Sequence, residues 1–297
     1  MNAEALLLDA RNAVDARLEA WASRLEVEVG GEPGAALAYA LRSPGKRVRA
    51  ALVLAAYHSV GGRSPGVIEV AAAVETVHAY SLVHDDLPCM DDDDLRRGRP
   101  TTHVAYDVAT ATRAGWVMVP VAARVLVAGA AELGLSAAAA AAMAAELFQA
   151  SGPEGMVGGQ WLDLEAERRE LDLAGLVQVH RGKTGALIRA ACALGGMAAR
   201  APEPHVEALR RFGADIGLAF QVADDVLDVT GTSADLGKTA GKDLATAKST
   251  YVRLLGVDGA RAEADRLAAA AVEHLSAAGV SPTALGALAR YIVERDR

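Results

Sequence analysis

The sequence predicts an all-α protein, and both composition and residue pattern indicate it. The chain has 297 residues, 52% hydrophobic but only 4% aromatic, and stretches such as residues 136–148 consist almost entirely of strong helix formers. Val and Ile occur singly, without the alternation that a half-buried strand shows. No linker or change of composition divides the chain, so we predict a single domain over residues 1–297, folded as one large helical bundle. An Ala-rich core does not easily fill a wide central space, which favours a central active-site cavity between the helices.

Short segments containing Gly and Pro separate the helices. They lie at residues 30–34, 43–45 and 61–66, and Pro88 ends a long helix that runs into an acidic cluster. The predicted helices cover residues 2–29, 35–41, 47–60, 67–87, 102–131, 136–150, 173–200 and 204–229, with two more toward the C-terminus.

Charge and hydropathy exclude several classes of protein. The net charge of −8 argues against nucleic acid as a partner. Residues 1–17 carry acids and lack the apolar run of a signal peptide. The most apolar long stretch, residues 114–130, is interrupted by Pro120 and Arg124, so we expect no integral membrane association. Cys89 and Cys192 offer no disulfide framework. Together these observations predict a cytoplasmic protein.

Two aspartate clusters are the most informative feature of the sequence. Six acids lie within residues 85–94, and Asp224, Asp225 and Asp228 form a second cluster. Asp224 and Asp228 project from the same helix face, and their apolar neighbours indicate that this helix is mostly buried. Buried anions require a cation, and ligation by carboxylates alone indicates Mg²⁺ that is shared with substrate phosphates. For the first cluster taken alone, a solvated charged surface is the alternative.

Basic residues accompany both clusters. Arg96 and Arg97 follow the first, and several lysines follow the second. Lys46 and Arg49 open an otherwise apolar helix, where cations oppose the helix dipole unless an anion lies between them. Metal-binding carboxylates with separate cations describe a site for two polyphosphates, one held through metal and one held directly by Lys and Arg.

The motifs resemble those of one enzyme family. Residues 78–91 (HAYSLVHDDLPCMD), 96–98 (RRG) and 224–228 (DDVLD) resemble the two Asp-rich motifs of the trans-prenyl diphosphate synthases. Further matches are GKR at 45–47, GGQWLDL at 158–164, KTGAL at 183–187, LGK at 236–238 and YIVER at 291–295. The resemblance spans nearly the whole chain. It implies the helical isoprenoid synthase fold, a Mg²⁺-dependent prenyltransferase of the bacterial farnesyl or geranylgeranyl diphosphate synthase type, and a homodimer.

The resemblance also implies roles for individual residues in binding the metal and the two substrates. Three Mg²⁺ ions, or Mn²⁺ in their place, would be held by Asp85, Asp86, Asp91, Asp224 and Asp228. The allylic diphosphate would also contact Arg96, Lys183 and Lys238. The diphosphate of isopentenyl diphosphate would be bound by Lys46, Arg49, His78 and Arg97. Thr184 and Gln221 would lie beside the reacting carbons, and Asp163 and Asp243 would support metal-bound water.

The length of the product is predicted from Tyr80 and Ser81, about one turn before the first cluster, which would form the floor of the tail cavity. An aromatic residue there, together with the Leu87-Pro88 insertion, resembles the farnesyl synthases and indicates a C15 product, with C20 and C10 as alternatives. The equally simple interpretation is that Tyr80 only packs against a neighbouring helix. Trp116 replaces an acidic residue of the family pattern, and we expect it to be buried near the tail channel, with a kink at Pro120.

Two other functions compete with the synthase. A class I terpene cyclase shares the fold and the first Asp-rich motif but lacks the second, which is intact here. A non-catalytic partner subunit of a synthase usually loses one cluster, whereas this sequence keeps both.

Overall fold

The structure of the protein, a computed structural model, describes residues 2–166, 170–230 and 249–294. Within these residues the chain is helical apart from one short hairpin, so the all-α prediction is confirmed. The helices are α1 (Ala3–Val29), α2 (Gly31–Leu41), α3 (Val48–Ser59), α4 (Val67–Asp85), α5 (Thr102–Ala105), α6 (Val108–Glu132), α7 (Ala137–Ser151), α8 (Met156–Ala166), α9 (Leu173–His180), α10 (Ala186–Ala198), α11 (Glu203–Thr230), α12 (Tyr251–Ala277) and α13 (Thr283–Glu294). A π-helical segment, Arg181–Gly185, joins α9 to α10, and the hairpin pairs β1 (Leu95–Arg96) antiparallel with β2 (Arg99–Pro100).

Contacts between residues divide the chain into two compact units. The N-terminal unit comprises Glu4–Leu54 and Ser64–Ala144. The C-terminal unit comprises Met1–Ala3, Ala55–Arg63 and Ala145–Arg297. The single domain over residues 1–297 stays a prediction.

Helix α4 is the centre of the N-terminal unit. Its first three turns are almost entirely buried, and it packs mainly against α6, with α2 packed against both. Glu69 of α4 fixes it to α1, because its carboxylate accepts a hydrogen bond from Trp21 Nε1 at 2.8 Å and lies 3.1 Å from Arg17 Nη1. A buried carboxylate is stable only when it is paired. Helix α4 is therefore a rigid support for the residues at its C-terminal end.

Helix α11 is the centre of the C-terminal unit and packs against α10 and α12. The π-helical segment contacts both α8 and α11 through glycines. A Cβ atom on Gly159 would lie 1.9 Å from Lys183 N, and one on Gly217 would lie 2.6 Å from Gly185 Cα. Only glycine allows such close backbone approach. The segment is thus fixed between α8 and α11, and π-helical segments of this kind are frequent at functional sites.

The predicted helices differ from the structure in several places. Helix α2 begins at Gly31 because Pro33 lies in its first turn, where the missing N–H costs nothing. The predicted helix over 102–131 is divided before α6, since the Asp107 carboxylate accepts a hydrogen bond from Thr110 N at 2.6 Å and caps a new helix start. Helix α8 was not predicted, because its glycines are typical of a loop unless another backbone packs against them.

Helix α6 is long and apolar enough to cross a membrane by length and composition. Half of its most apolar stretch is buried inside the protein, as in the core helices of globular proteins. It continues through Pro120 as one helix. Packing against α2 and α4 accounts for its apolar composition.

Candidate active site

The C-terminal end of α4 carries the first aspartate cluster. Asp85 is the last residue of the helix, and Asp86 is its C-terminal cap. The loop that follows folds back on the helix end, since Asp91 N donates to Asp85 O at 2.8 Å and Asp93 N donates to Asp86 O at 3.3 Å. The loop thereby brings the backbone of Asp91 back beside Asp85 at the end of α4.

Asp86 is buried and paired with Arg96 of β1. Arg96 Nε donates to Asp86 Oδ1 at 2.7 Å, and Arg96 Nη2 lies 3.4 Å from Asp93 Oδ2. Burial raises the pKa of the Asp86 carboxyl, and the guanidinium of Arg96 opposes that shift. The hairpin therefore places a cation directly against the carboxylates of the first cluster.

His78 lies within a group of arginines, seven residues before Asp85 on α4. Burial lowers the pKa of His78, and nearby positive charges lower it further, those of Arg49, Arg97, Arg47 and Arg96. A cavity of about 40 Å³ beside it is lined in part by Arg47, Arg96 and Arg97. Positive charge gathered around a cavity favours an anionic ligand.

The predicted residues for isopentenyl diphosphate all belong to the N-terminal unit. Lys46 is exposed and Arg49 is partly buried, on either side of the first residue of α3. Arg97 Nη1 donates to Pro44 O, so the hairpin also contacts the connection that carries Lys46. The charges of Arg49 and Arg97 both lower the pKa of His78, so both lie close enough to His78 to act on it electrostatically.

Tyr80 packs against His84, with ring centroids 4.9 Å apart in an edge-to-face arrangement. The ring of His84 lies against α6, where a Cβ atom on Gly115 would come within 2.1 Å of His84 Nε2. The Ser81 hydroxyl donates to His78 O at 2.9 Å, within its own helix. Burial and the charge of Asp85 raise the pKa of Tyr80, so its ring lies close to the first cluster.

The expectation of a buried Trp116 was wrong. Its side chain is 64% exposed, because the neighbouring Gly115 is the residue of α6 that faces α4. Trp116 consequently does not fill space inside the N-terminal unit.

Lys183 and Thr184 lie in the π-helical segment of the C-terminal unit. Lys183 Nζ donates to Asp163 Oδ2 of α8 at 2.6 Å, and both Thr184 and Asp163 are buried. The ion pair places Lys183 next to Asp163. Asp163 holds the amine in one place within this unit.

The second aspartate cluster lies near the C-terminal end of α11. Asp224 and Asp228 are partly exposed, as is Gln221, whereas Asp225 is buried. Asp225 Oδ2 accepts a hydrogen bond from Tyr251 N at 2.7 Å and lies 3.8 Å from His180 Nε2. Asp225 thus fixes the start of α12, whereas the metal-binding role of Asp224 and Asp228 stays a prediction.

In the part of the chain that the structure describes, no three His, Cys, Asp or Glu side chains are placed to hold one metal ion. Mg²⁺ is ordinarily bound by one or two carboxylates and shares the rest of its coordination with substrate phosphates and water. The carboxylate-only clusters fit that ion better than a metal that needs a cage of protein ligands.

Comparison with known proteins identifies the family. The model of the polyprenyl synthetase family matches residues 34–283. The chain belongs to the polyprenyl synthetase family. The synthase is accordingly a transferase of the prenyl diphosphate synthase type, with the isoprenoid synthase helical fold.

Individual relatives of the synthase differ in their products. It is 46% identical over 257 residues to a farnesyl diphosphate synthase of Escherichia coli, which covers 85% of this chain and 86% of the relative. It is 43% identical over 267 residues to geranylgeranyl pyrophosphate synthase 7, chloroplastic, of Arabidopsis thaliana, which covers 88% of this chain and 76% of the relative. A geranyltransferase from Helicobacter pylori, solved in complex with magnesium and isoprenyl diphosphate, is 30% identical, with a TM-score of 0.81 over 97% of this chain and 96% of that one.

Three residues of the synthase had no role in the sequence analysis although their geometry indicates one. Gln160 is buried, and neither Nε2 nor Oε1 of its amide has a hydrogen-bond partner among the described residues. It lies one turn before Asp163 on α8. Its place in the GGQWLDL motif was the sequence feature from which a functional role could have been predicted. Arg47 and Glu75 form a buried ion pair at the start of α3.

Lys238 and Asp243 lie outside the described residues.

Proposed function

We propose that the synthase condenses isopentenyl diphosphate with dimethylallyl and then geranyl diphosphate, giving farnesyl diphosphate. The observation that carries the proposal is the arginine group around His78, which lies on the same helix as the carboxylates at the end of α4. The cations can bind one diphosphate directly. The carboxylates, about 10 Å further along the helix, can bind the other diphosphate through metal.

The residues divide into two groups by substrate. Lys46, Arg49, His78 and Arg97 bind the diphosphate of isopentenyl diphosphate. Because both Asp-rich motifs belong to the same family pattern, we assign both to the allylic diphosphate. Its Mg²⁺ ions, three in number, would be held by Asp85, Asp86, Asp91, Asp224 and Asp228. Arg96, Lys183 and Lys238 contact that diphosphate directly, and Asp163 and Asp243 orient metal-bound water.

The reaction breaks the bond between C1 of the allylic substrate and its diphosphate oxygen. Mg²⁺, when bound, neutralises the charge that develops on the departing pyrophosphate. Arg96 and Lys183 stabilise the same charge, and their carboxylate partners keep them in position before the reaction begins. The C3–C4 double bond of isopentenyl diphosphate then forms the new bond to C1 of the allylic cation. Oxygens of Thr184 and Gln221 stabilise that cation, and the released pyrophosphate accepts the proton that is lost.

Tyr80 supports a C15 product. Its ring is held against His84, and His84 is held against Gly115, so a growing tail that reached Tyr80 would meet a wall backed by α6. Since relatives of similar identity include both farnesyl and geranylgeranyl synthases, we base the C15 proposal on this wall.

The test is a product assay. Purified chain is incubated with Mg²⁺, dimethylallyl diphosphate and labelled isopentenyl diphosphate, and the hydrolysed products are separated by length. We expect labelled farnesol. Labelled geraniol or geranylgeraniol would correct the product alone, a cyclised hydrocarbon would favour the cyclase, and the absence of any extended product would refute the synthase and favour the partner subunit.

We further propose that the synthase is a cytoplasmic homodimer. Each unit exposes a tryptophan, Trp116 at 64% and Trp161 at 67%, and a cavity of about 720 Å³ lies beside Trp161 in the C-terminal unit. Large exposed aromatic residues are typical of protein interfaces. Light scattering after gel filtration should give twice the chain mass, and Trp161→Glu should shift the protein toward the monomer. A monomeric wild-type chain would exclude the dimer.

A further inference from the structure

The connection between α2 and α3 carries Lys46 and ends at Arg47. Arg47 is buried and has a φ angle of 53°. A residue other than glycine is strained in this left-handed region and stays there only where surrounding contacts fix it. The contacts of Arg47 therefore decide the conformation of this connection.

Arg47 joins three parts of the N-terminal unit. Its Nε donates to Asp15 Oδ1 of α1 at 2.7 Å, and its Nη2 donates to Ser43 O at 2.8 Å. Its Nη1 lies 3.4 Å from Glu75 Oε2 of α4. Two carboxylates thus neutralise this guanidinium, which makes it a support rather than a free cation for a ligand.

Glu75 is 2% exposed, and its one carboxylate contacts both the Arg47 side chain and the backbone of α3. Its Oε2 faces Arg47, and its Oε1 accepts a hydrogen bond from Ala50 N at 3.0 Å. Ala50 lies in the first turn of α3, where backbone N–H groups have no partner within the helix. Lys46 and Arg49 are each adjacent in sequence to one of these two anchored residues. The anion expected at this helix start is therefore supplied in part by the protein itself.

His78 follows Glu75 by three residues, so the two side chains project from the same face of α4. Arg49 is the charge that, after burial, contributes most to lowering the pKa of His78. The geometry thus ties the cationic start of α3 to the helix that carries His78.

We infer that Glu75 and Arg47 are positioning residues that hold Lys46 and Arg49 against His78 for the diphosphate of isopentenyl diphosphate. This inference rests on the proposed function. Its predicted effect on the affinity for isopentenyl diphosphate is opposite to that of charge alone. Removing the negative charge of Glu75 would by charge alone strengthen the binding of an anion. Loss of positioning would instead weaken it.

The test compares Glu75→Gln with a matched control on the same helix, Glu69→Gln. Glu69 is also buried and paired with an arginine, but its partners, Trp21 and Arg17, belong to α1. Both variants lose a buried ion pair, so both should unfold at lower temperature. Only Glu75→Gln should raise the KM for isopentenyl diphosphate, by about tenfold, as remote misplacement of binding groups does. The KM for the allylic substrate and kcat should change less than about twofold in both.

A KM for isopentenyl diphosphate in Glu75→Gln that is unchanged, lowered, or raised no more than in Glu69→Gln would overturn the inference while leaving the proposed function intact. A wild-type chain without condensation activity would refute the proposed function instead. If Glu75→Gln does not fold, Asp15→Asn takes its place, since Asp15 is half-exposed and its loss frees Arg47 on one side. Asp15→Asn should raise the KM for isopentenyl diphosphate by about threefold, because it misplaces the binding groups less than Glu75→Gln does. An unchanged KM in Asp15→Asn would likewise overturn the inference.

Discussion

Lys183 Nζ and Asp163 Oδ2 lie 2.6 Å apart, which joins the π-helical segment to α8 by a partly buried ion pair. Glycine contacts hold the same two elements together, so the amine has little freedom to move. Asp163→Asn keeps the size of the side chain but removes its charge. We expect kcat to fall by about tenfold or more, the usual effect of removing a group that orients a ligand.

Steady-state kinetics with varied allylic substrate tests this expectation. Asp215→Asn is the control, since Asp215 is paired with His274 elsewhere in the same unit. Equal kcat values for the two variants would show that Asp163 does not support the reaction.

The two aspartate clusters give a second prediction. Asp85→Ala or Asp224→Ala should lower turnover by about 10²-fold or more, because charge neutralisation of a departing group is usually the largest catalytic contribution. Far-UV circular dichroism should be unchanged, since both side chains are partly exposed. By contrast, Asp225→Ala should lower the melting temperature, because Asp225 fixes Tyr251 N at the start of α12. Near-normal turnover in either of the first two variants would refute the metal assignment.

Gln160 gives a prediction in which stability and activity change in opposite directions. Its buried amide has no hydrogen-bond partner within the described residues, and such a group costs about 1–3 kcal/mol. Gln160→Met has a similar volume and no polar atoms, so we expect equal or greater stability to urea. Turnover should fall, because we expect the amide to bind substrate or metal-bound water one turn from Asp163. A variant that is less stable and fully active would contradict both parts.

Tyr80 gives a prediction about product length. Tyr80→Ala removes the ring that packs against His84 and should lengthen the main product from C15 to C20 or beyond. Trp116→Ala is the matched control, because its ring is exposed and should leave the product unchanged. An unaltered product distribution in Tyr80→Ala would leave packing as the only role of the ring.

His78 gives a prediction about pH. Burial and the adjacent arginines lower its pKa below the ordinary value of 6.5. Below about pH 6.5 the unfolded chain therefore binds a proton that the folded chain does not, and the contribution of His78 to the free energy of unfolding is lost as the pH falls. Urea unfolding between pH 5 and 8 should show a smaller loss at acid pH in His78→Gln than in the wild type. Parallel curves would show that His78 does not titrate differently on folding.

The sequence predicted the helices that have ordinary ends and missed those that depend on another part of the chain. The breaks at residues 43–45 and 61–66 were recognisable because Gly and Pro terminate helices locally. Helix α8 was missed because its glycines are typical of a loop, and only the packing of Gly159 against the backbone of Lys183 and of Gly158 against that of Pro153 explains them. Trp116 was misplaced for a similar reason, since the side of α6 that faces α4 is set by the contact of Gly115 with His84.

The sequence by itself determined the family of this protein and predicted its chemistry, because two aspartate clusters and separate cations at fixed spacings indicate metal and diphosphate ligands wherever the helices lie. Only the tertiary structure decided how those groups are held. The carboxylate partners of Lys183 and Arg47 come from residues distant in sequence, and no spacing along one helix encodes such contacts. They arise when the packing of apolar faces brings buried charges together, and each charge must then find a partner.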